Sequence, residues 1–246
     1  METNHHHRLK CASYNCRGMK LNDQVEISRL LLDHDIVCFQ ETWMSKSESY
    51  GINCLIPEYR GVANSPNDDT AGVLIGRQNK REGVAILWSE AMDKFVTPLR
   101  YDDDDWIVGV KIIIEQRVFC ILNVYLPYDC VDNDELYSER LSKLNVLIEE
   151  LDCSCVNVVG DFNSDILNKV SNNARKLEDF CIMYNYLWSS RIKLPEDTFS
   201  YVSDAWGTQS WPDHCIYHLK MVTQLSVTFM CYRILSCLTT IPLCVN

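Results

Sequence analysis

The residues best suited to chemistry lie in the segment NVVGDFNSD, which spans residues 157–165. Here an apolar run is interrupted by Gly160 and followed at once by Asp161 and Asn163. The pattern predicts a buried strand that ends at a surface turn. Because the two polar residues are separated by one position, their side chains point the same way in an extended segment. Such a pair can hold a phosphate, a metal-bound water or an attacking water, although an ordinary Asn/Asp turn has the same residue types.

Four other segments share this form, an apolar run that ends at a polar residue. They are SYNCRG with Asn15, DIVCFQETW with Glu41, ILNVYLPY with Tyr125, and SWPDHCI with Asp213 and His214. In layered α/β proteins, ligands and reacting groups collect at the carboxyl ends of strands. The five segments together therefore predict one polar site that is built from several strand ends.

The elements that must position these residues alternate along the chain. Strand-like runs are predicted at 9–15, 36–40, 83–89, 106–114, 117–125, 155–160, 199–203 and 214–219, and helices at 22–33, 133–151 and 172–186. Asn133 or Asp134 is a candidate N-cap for the second helix. The short connection at Glu115–Gln116 predicts a hairpin, so the sheets cannot be wholly parallel. The predicted fold is α/β, with two mixed β-sheets packed together and helices outside.

Length, composition and charge restrict the class of protein. A chain of 246 residues can bury one sizeable core, and we expect a single domain over 1–246 with an atypical segment at 219–246. The net charge of −11 argues against a generally basic nucleic-acid binder but allows a local basic patch. Thirteen cysteines without a secretory signal favour free thiols in a reducing compartment, and hence an intracellular, nuclear or cytoplasmic location. We also expect a monomer.

The most apolar stretch is residues 225–246, which reads LSVTFMCYRILSCLTTIPLCVN. Its length would allow a membrane anchor. Arg233, Pro242 and the Ser/Thr content count against one, and the Val, Thr, Ile and Phe content favours two β-strands with a turn. We therefore expect no membrane association.

The order of the five polar strand ends resembles that of the exonuclease–endonuclease–phosphatase superfamily. Within it the chain is most similar to the apurinic/apyrimidinic-endonuclease-like domain of non-LTR retrotransposons. The strings REGVAILW, LNVYLPYDC and TFSYVSDAWGTQSW support this resemblance, which covers about residues 9–218. It implies a four-layer α/β sandwich and a phosphodiesterase that uses Mg²⁺ or Mn²⁺ and acts on DNA.

The resemblance also implies a role for each central polar residue. Glu41 would bind the metal, and Asn15 would orient that carboxylate or the metal-bound waters. Asp161 would be the base that activates water, and Asn163 would hold the phosphate. The hydroxyl of Tyr125 would stabilise the charge that develops in the transition state.

Further residues are implied at the edge of the site. Asp213 would support the metal or the hydrogen bonds of the site, and Thr198 would contact substrate. Trp211 could stack on a splayed base. Arg17 stands where some relatives have a second acid, and an arginine there could contact phosphate.

The chain departs from the family near its end, where relatives have a Ser-Asp-His sequence whose histidine stabilises the transition state. Here Thr239–Thr240 stand in that place, and threonine cannot supply an imidazolium. His214 or His218 could take over only by turning into the site.

Three functions stay open from the sequence. The leading hypothesis is a metal-dependent endonuclease derived from a retroelement. The alternative is a catalytically impaired remnant that acts as a nucleic-acid or protein binding module. A third possibility is action on a phospholipid, an inositol phosphate or an RNA 3′ tail.

Overall fold

The structure is a computed structural model that describes residues 9–19, 24–66, 82–101, 104–114, 116–168, 170–189, 195, 198–203, 206–219, 227–231 and 237–241. Its strands are β1 (Leu9–Asn15), β2 (Ile36–Gln40), β3 (Tyr59–Asn64), β4 (Val84–Ser89), β5 (Val96–Leu99), β6 (Ile107–Ile114), β7 (Arg117–Tyr125), β8 (Cys155–Asp161), β9 (Leu187–Trp188), β10 (Tyr201–Val202), β11 (Gln209–Ser210), β12 (Asp213–Leu219), β13 (Val227–Cys231) and β14 (Cys237–Ile241). Its α-helices are α1 (Gln24–Asp33), α2 (Lys46–Tyr50), α3 (Asp134–Glu150) and α4 (Asn172–Met183), and short 3-10 turns cover Ile52–Cys54, Glu90–Phe95 and Val131–Asn133.

Within these ranges the strands form two six-stranded sheets and one small hairpin. The first sheet has the order β14-β13-β1-β2-β4-β3, and the second has the order β5-β6-β7-β8-β12-β9. Both are mixed, because β1 pairs in parallel with β2 and β13, and β7 pairs in parallel with β8, while the other neighbours are antiparallel. Strands β10 and β11 form the separate hairpin.

Three apolar layers hold the elements together. Alternate residues of the strands face a core between the two sheets, which includes Cys38, Ile121 and Val159. Helix α1 covers the outer face of the first sheet, and α3 and α4 cover the outer face of the second. The architecture is therefore a four-layer α/β sandwich with two mixed sheets inside, as the sequence predicted.

Most predicted elements are present, and the differences have local causes. The predicted strand at 199–203 is reduced to β10, because the chain turns there into the hairpin with β11. Strands β3, β5 and β9 were not predicted; each is short or lacks an apolar run of its own. Asn133 occupies the N-cap position of α3 but makes no capping hydrogen bond through its side chain.

The apolar stretch near the end of the chain contains two strands, as its β-branched content predicted. Strands β13 and β14 are antiparallel, and β13 adds to the first sheet alongside β1. Among the described helices, we find none that combines the length and the apolar character required to cross a membrane.

Candidate functional site

The candidate site lies at the sheet edge where four strands end together. In the first sheet Asn15 at the end of β1 is level with Gln40 at the end of β2. In the second sheet Tyr125 at the end of β7 is level with Asp161 at the end of β8. We call Asn15 and Glu41 the first-sheet half of the site, and Tyr125, Asp161 and Asn163 the second-sheet half.

One carboxamide joins the two halves. The buried Nδ2 of Asn15 donates to Glu41 Oε1 at 2.8 Å and to Asp161 Oδ2 at 2.9 Å. Its Oδ1 accepts from the backbone N–H of Arg17 at 3.2 Å. Asn15 is therefore fully engaged, and it holds two carboxylates from different sheets on either side of one amide.

Glu41 reaches the site because the backbone leaves the strand at this residue. Strict alternation would direct its side chain to the outer face, where Phe39 packs under α1. Instead Glu41 has a φ of 52°, in the left-handed region, and its carboxylate meets Asn15. Its Oε1 also accepts from the Tyr125 hydroxyl at 3.3 Å. Its Oε2 accepts no hydrogen bond from the residues that the structure describes.

Tyr125 keeps its phenolic proton at the site. Burial, followed by the negative charges of Glu41 and Asp161, raises the pKa of Tyr125 well above the usual value for tyrosine. The hydroxyl is therefore a hydrogen-bond donor over the whole physiological pH range.

Asp161 and Asn163 are neighbours, but the segment between them is not extended. Strand β8 ends at Asp161, and Asn163 has a left-handed φ of 46°. Its backbone N–H donates to Asp161 Oδ1 at 2.9 Å, and its Nδ2 donates to Leu126 O at 2.7 Å. The expectation that both side chains point the same way along a strand is wrong, because an Asx-type turn has replaced the strand geometry. The two residues still stand side by side.

Gly160 allows the backbones of β7 and β8 to lie close together in the second-sheet half of the site. It has a φ of 138°, and a Cβ placed on it would lie 2.1 Å from Val124 O. Any other residue would push β7 and β8 apart one position before Asp161. The glycine in the sequence motif therefore permits a close approach of two backbones.

Hydrogen bonds at the start of α4 brace the loops that follow β7 and β8. Asn173 Nδ2 donates to Pro127 O and Asn163 O, each at 3.0 Å. Asp129 Oδ2 accepts from Ser171 Oγ and from the backbone N–H of Asn172, each at 2.8 Å, and so caps the helix from the loop after β7. The second-sheet half thus rests on a network of hydrogen bonds that the sequence pattern did not reveal.

Asp213 lies next to the site with a partner that was not predicted. It is level with Asp161 in the pairing of β12 with β8, and it is buried. Its Oδ2 accepts from Ser200 Oγ at 2.7 Å. Thr198, which was expected to contact substrate, is buried two residues earlier, and its backbone N–H donates to Pro195 O. Ser200 was missed because a serine between two aromatic residues carries no strong signal.

Arg17 extends from the turn after β1, where its own φ is 45°. Its guanidinium lies over the ring of Tyr201, 4.8 Å from the centroid, and thus connects the first sheet to the β10–β11 hairpin. A guanidinium is suited to bind phosphate, which is the contact expected for Arg17 from the sequence.

His214 lies outside both halves of the candidate site, which corrects the catalytic role predicted for it. Residues alternate along β12, so Asp213 faces the site while His214 faces the helices. The ring is 1% exposed, donates from Nε2 to Ser164 O at 2.7 Å, and packs edge-on against Trp188. Burial lowers the pKa of His214 to about 4, so the ring is neutral at pH 7. His218 lies on the same face as His214, with its ring edge-on to Tyr186.

Trp211 was expected to stack on substrate, and it too lies elsewhere. It is 2% exposed, its ring centroid is 5.9 Å from that of His214, and its backbone N–H donates to Asp165 Oδ1. It is a buried residue of the core. An exposed indole is present at Trp206, on the turn between β10 and β11.

The strand register also moves Thr239–Thr240 away from the site. Thr239 pairs with Phe229, which is level with Cys11, and Thr240 pairs with Thr228. This level is four to five residues from the end of β1, or roughly 13–17 Å along the strand. The expectation that the two threonines occupy the place of an acid–histidine pair is therefore wrong for the register in this structure.

The donors at the site fit the magnesium or manganese ion that the resemblance implies. Mg²⁺ prefers carboxylate oxygens and keeps several waters. Glu41 offers a half-exposed carboxylate with one oxygen free of hydrogen bonds to the described residues. Within the described ranges, no group of three or more His, Cys, Asp or Glu side chains could hold a metal ion.

Comparisons with known proteins agree with this architecture. Residues 12–228 match the Endonuclease/Exonuclease/phosphatase family. The AP endonuclease LMAP from Leishmania major superposes with a TM-score of 0.61 at 11% identity, covering 85% of this chain and 78% of that one. The D. rerio TDP2 structure with a single-strand DNA product gives 0.60 at 11% identity, covering 88% and 86%. A mannosyl-6-phosphatase from Bacteroides thetaiotaomicron gives 0.57 at 14% identity, covering 89% and 88%.

Proposed function

The chain belongs to the Endonuclease/Exonuclease/phosphatase family, and from this premise we propose that it is a metal-dependent phosphodiesterase of the endonuclease type that acts on DNA. Membership of the family supports hydrolysis of phosphodiesters in general. DNA as the substrate is supported by the similarity to an AP endonuclease and to a protein in complex with a DNA product. The QETW and GDFN contexts favour an origin in a retroelement.

The observation that carries the proposal is the position of Asn15 between two carboxylates. A single amide fixes Glu41 from one sheet and Asp161 from the other at hydrogen-bond distance. Two neighbouring carboxylates with different partners can divide the work between binding a cation and accepting a proton. This arrangement supports a site in which one carboxylate binds the cation and the other accepts the proton.

The proposed reaction begins when a water molecule attacks the phosphorus atom. Asp161 accepts a proton from that water while the bond between phosphorus and the leaving oxygen breaks. The leaving oxygen then takes a proton from solvent. Hydrogen bonds from Asn163 N–H and Asn15 Nδ2 hold both oxygens of Asp161 in place, so its orientation does not have to be found during the reaction.

The other residues of the site would stabilise the negative charge of the phosphate and of the transition state. A magnesium ion bound at Glu41 would neutralise charge on the phosphate oxygens. The Tyr125 hydroxyl, which stays protonated, would turn from Glu41 to donate to the developing negative charge. We assign to Arg17 the contact with a neighbouring phosphate of the strand, which the position of its guanidinium over Tyr201 supports.

Nicking of a supercoiled plasmid tests the proposal. We expect cleavage with Mg²⁺ and none with EDTA. Glu41→Gln should lower the rate about a hundredfold, since the ligand loses its charge, whereas the exposed Glu139→Gln should change nothing. Cleavage that persists in EDTA, or an equal loss in both variants, would remove the metal site from the mechanism.

A second candidate function is a binding module with little turnover. It is favoured by the orientation of His214 and His218, whose rings face the helices instead of the site. It predicts that the protein shifts a labelled DNA duplex in a gel with Mg²⁺ or Ca²⁺ but leaves the duplex intact. Measuring binding and cleavage on the same duplex separates the two candidates.

A further inference from the structure

A buried polar layer lies directly beneath the candidate site, in a core that is mainly apolar. Ser13 precedes Asn15 by two residues, Gln40 precedes Glu41 by one, and Asn123 precedes Tyr125 by two. Two residues along a strand correspond to about 7 Å. The layer is therefore one step deeper than the residues that hold the two halves of the site.

Asn123 connects the second sheet to the first through three hydrogen bonds. Its Nδ2 donates to Phe39 O at 2.8 Å and to Ala85 O at 2.9 Å, and its Oδ1 accepts from Gln40 Nε2 at 2.5 Å. Gln40 Nε2 also donates to Ser13 Oγ at 3.0 Å. All three hydrogen-bond partners of Asn123 belong to the first sheet, so this one side chain spans the core between the sheets.

This arrangement costs free energy that an apolar pair would not. Asn123 and Gln40 are each 0% exposed, and Gln40 Oε1 has no hydrogen-bond partner among the residues that the structure describes. A buried polar atom without a partner is destabilising. A leucine at each position would remove that unpaired oxygen, but it would also remove the hydrogen bonds from Asn123 to Phe39 O and Ala85 O that tie the two sheets together. The polar pair is therefore better explained by the geometry that it imposes than by a gain in stability.

We propose that Asn123, with Gln40, is a positioning residue that sets the distance between the first-sheet and second-sheet halves of the site. Hydrophobic contacts between sheets are non-directional and allow them to slide, whereas hydrogen bonds to backbone oxygens fix one position. Because Gln40 adjoins Glu41 and Asn123 lies two residues before Tyr125, the bridge acts on both halves. The catalytic consequence rests on the proposed function; the geometric one does not.

The variant Asn123→Leu tests this, with Val110→Ala as its control. Val110 is buried in the same core between the sheets but makes no polar bridge. Asn123→Leu should lower kcat at least about tenfold with little change in KM, because misplacement affects the transition state more than binding. Val110→Ala should keep its cleavage rate within about twofold of the wild-type rate, even where it loses as much stability as Asn123→Leu.

The double variant Gln40→Leu with Asn123→Leu separates positioning from folding. Removing both partners should restore stability relative to Asn123→Leu, yet the rate should stay low. It also covers the case in which Asn123→Leu alone does not fold. Recovery of the rate together with stability would overturn the proposal, as would equal losses in Asn123→Leu and Val110→Ala.

A readout without turnover keeps this test apart from the proposed function. In a ¹H–¹⁵N correlation spectrum, the side-chain amide of Asn15, assigned from its loss in Asn15→Ser, reports on its bonds to Glu41 and Asp161. We expect it to move toward the free asparagine position in Asn123→Leu and in the double variant but not in Val110→Ala. An unmoved signal would overturn the positioning role even if the wild type does not cleave DNA.

Discussion

The two halves of the site are held in different ways. The second-sheet half is braced from several sides, by the close approach at Gly160 and by the hydrogen bonds of Asn163 and Asn173. The first-sheet half depends on a turn in which Arg17 and Glu41 have left-handed φ values. That turn is held by backbone hydrogen bonds, from Gly18 N–H to Glu41 O and from Thr42 N–H to Gly83 O. The proposed base therefore stands on a segment braced by side chains, and the proposed metal carboxylate on one braced by the backbone.

The largest expected effect comes from disrupting the braced half. Gly160→Ala should destabilise the protein by at least about 3 kcal/mol, because the new Cβ would collide with Val124 O. The matched control is Gly207→Ala, at a φ of 64° with nothing within 4 Å of the new Cβ, which should cost about 1 kcal/mol. Urea unfolding measures both, and equal costs would show that the close approach is not needed.

The next effect concerns the packing behind the braced half. His214 has its pKa lowered to about 4 from the usual 6.5, so the folded state binds its proton less readily than the unfolded chain. Its contribution is therefore complete above pH 6.5 and is lost as the pH falls toward 4. We expect the free energy of unfolding to drop by about 2 kcal/mol between about pH 7 and pH 5 from this residue.

The variant His214→Gln isolates that contribution. It should be less stable at pH 7, because a packed ring is lost, and its stability should fall less steeply with acid. An unchanged slope would mean that the ring is not buried in its neutral form, and it would revive a catalytic role for His214.

A smaller effect is expected at the contact between the halves. Tyr125→Phe removes the hydroxyl that donates to Glu41, and we expect an about tenfold slower cleavage with nearly unchanged stability. The control is Tyr128→Phe, an exposed tyrosine three residues further along the chain. Since the pKa of Tyr125 is raised, wild-type activity should not decline up to about pH 10 from ionisation of this group. A decline that Tyr125→Phe abolishes would contradict this.

The smallest effect is expected at the edge of the first sheet. The double change Thr239→Asp and Thr240→His restores the residue types that relatives have. If the two residues lay in the site, as their position in the sequence implies, the change should raise the cleavage rate about tenfold. By the observed register the pair lies too far from Asn15, and the rate should change by less than about twofold. A tenfold rise would show that β14 pairs in another register in solution.

The sequence predicted the sheet architecture and the convergence of Asn15, Glu41 and Asp161 because both follow from short patterns. Apolar runs locate strands, and a polar residue at a run's end marks the edge where parallel strands finish. It failed where the backbone leaves a regular form. No hydrophobic periodicity predicts the left-handed turns at Glu41 and Asn163. Asp213 and His214 are adjacent in sequence, yet they face opposite sides of β12.

The remaining misses concern contacts between distant parts of the chain. Asn123 stands out in sequence as a polar residue within the apolar run ILNVYL, yet its partners on β2 and β4 are set by the packing of the two sheets. Ser200 and Asn173 act through loops whose paths depend on the whole fold. Such contacts have large separations along the chain and leave no local signal.

The central claim is that Glu41 and Asp161 act in one site, and a double-mutant cycle tests it most directly. Single-turnover cleavage of a labelled DNA duplex with Mg²⁺ is measured for the wild type, Glu41→Gln, Asp161→Asn and the double variant. We predict that each single change lowers the rate at least about a hundredfold and that the double variant is within about tenfold of the slower single variant. Losses that multiply in the double variant, or single variants that cleave at the wild-type rate, would contradict a shared site.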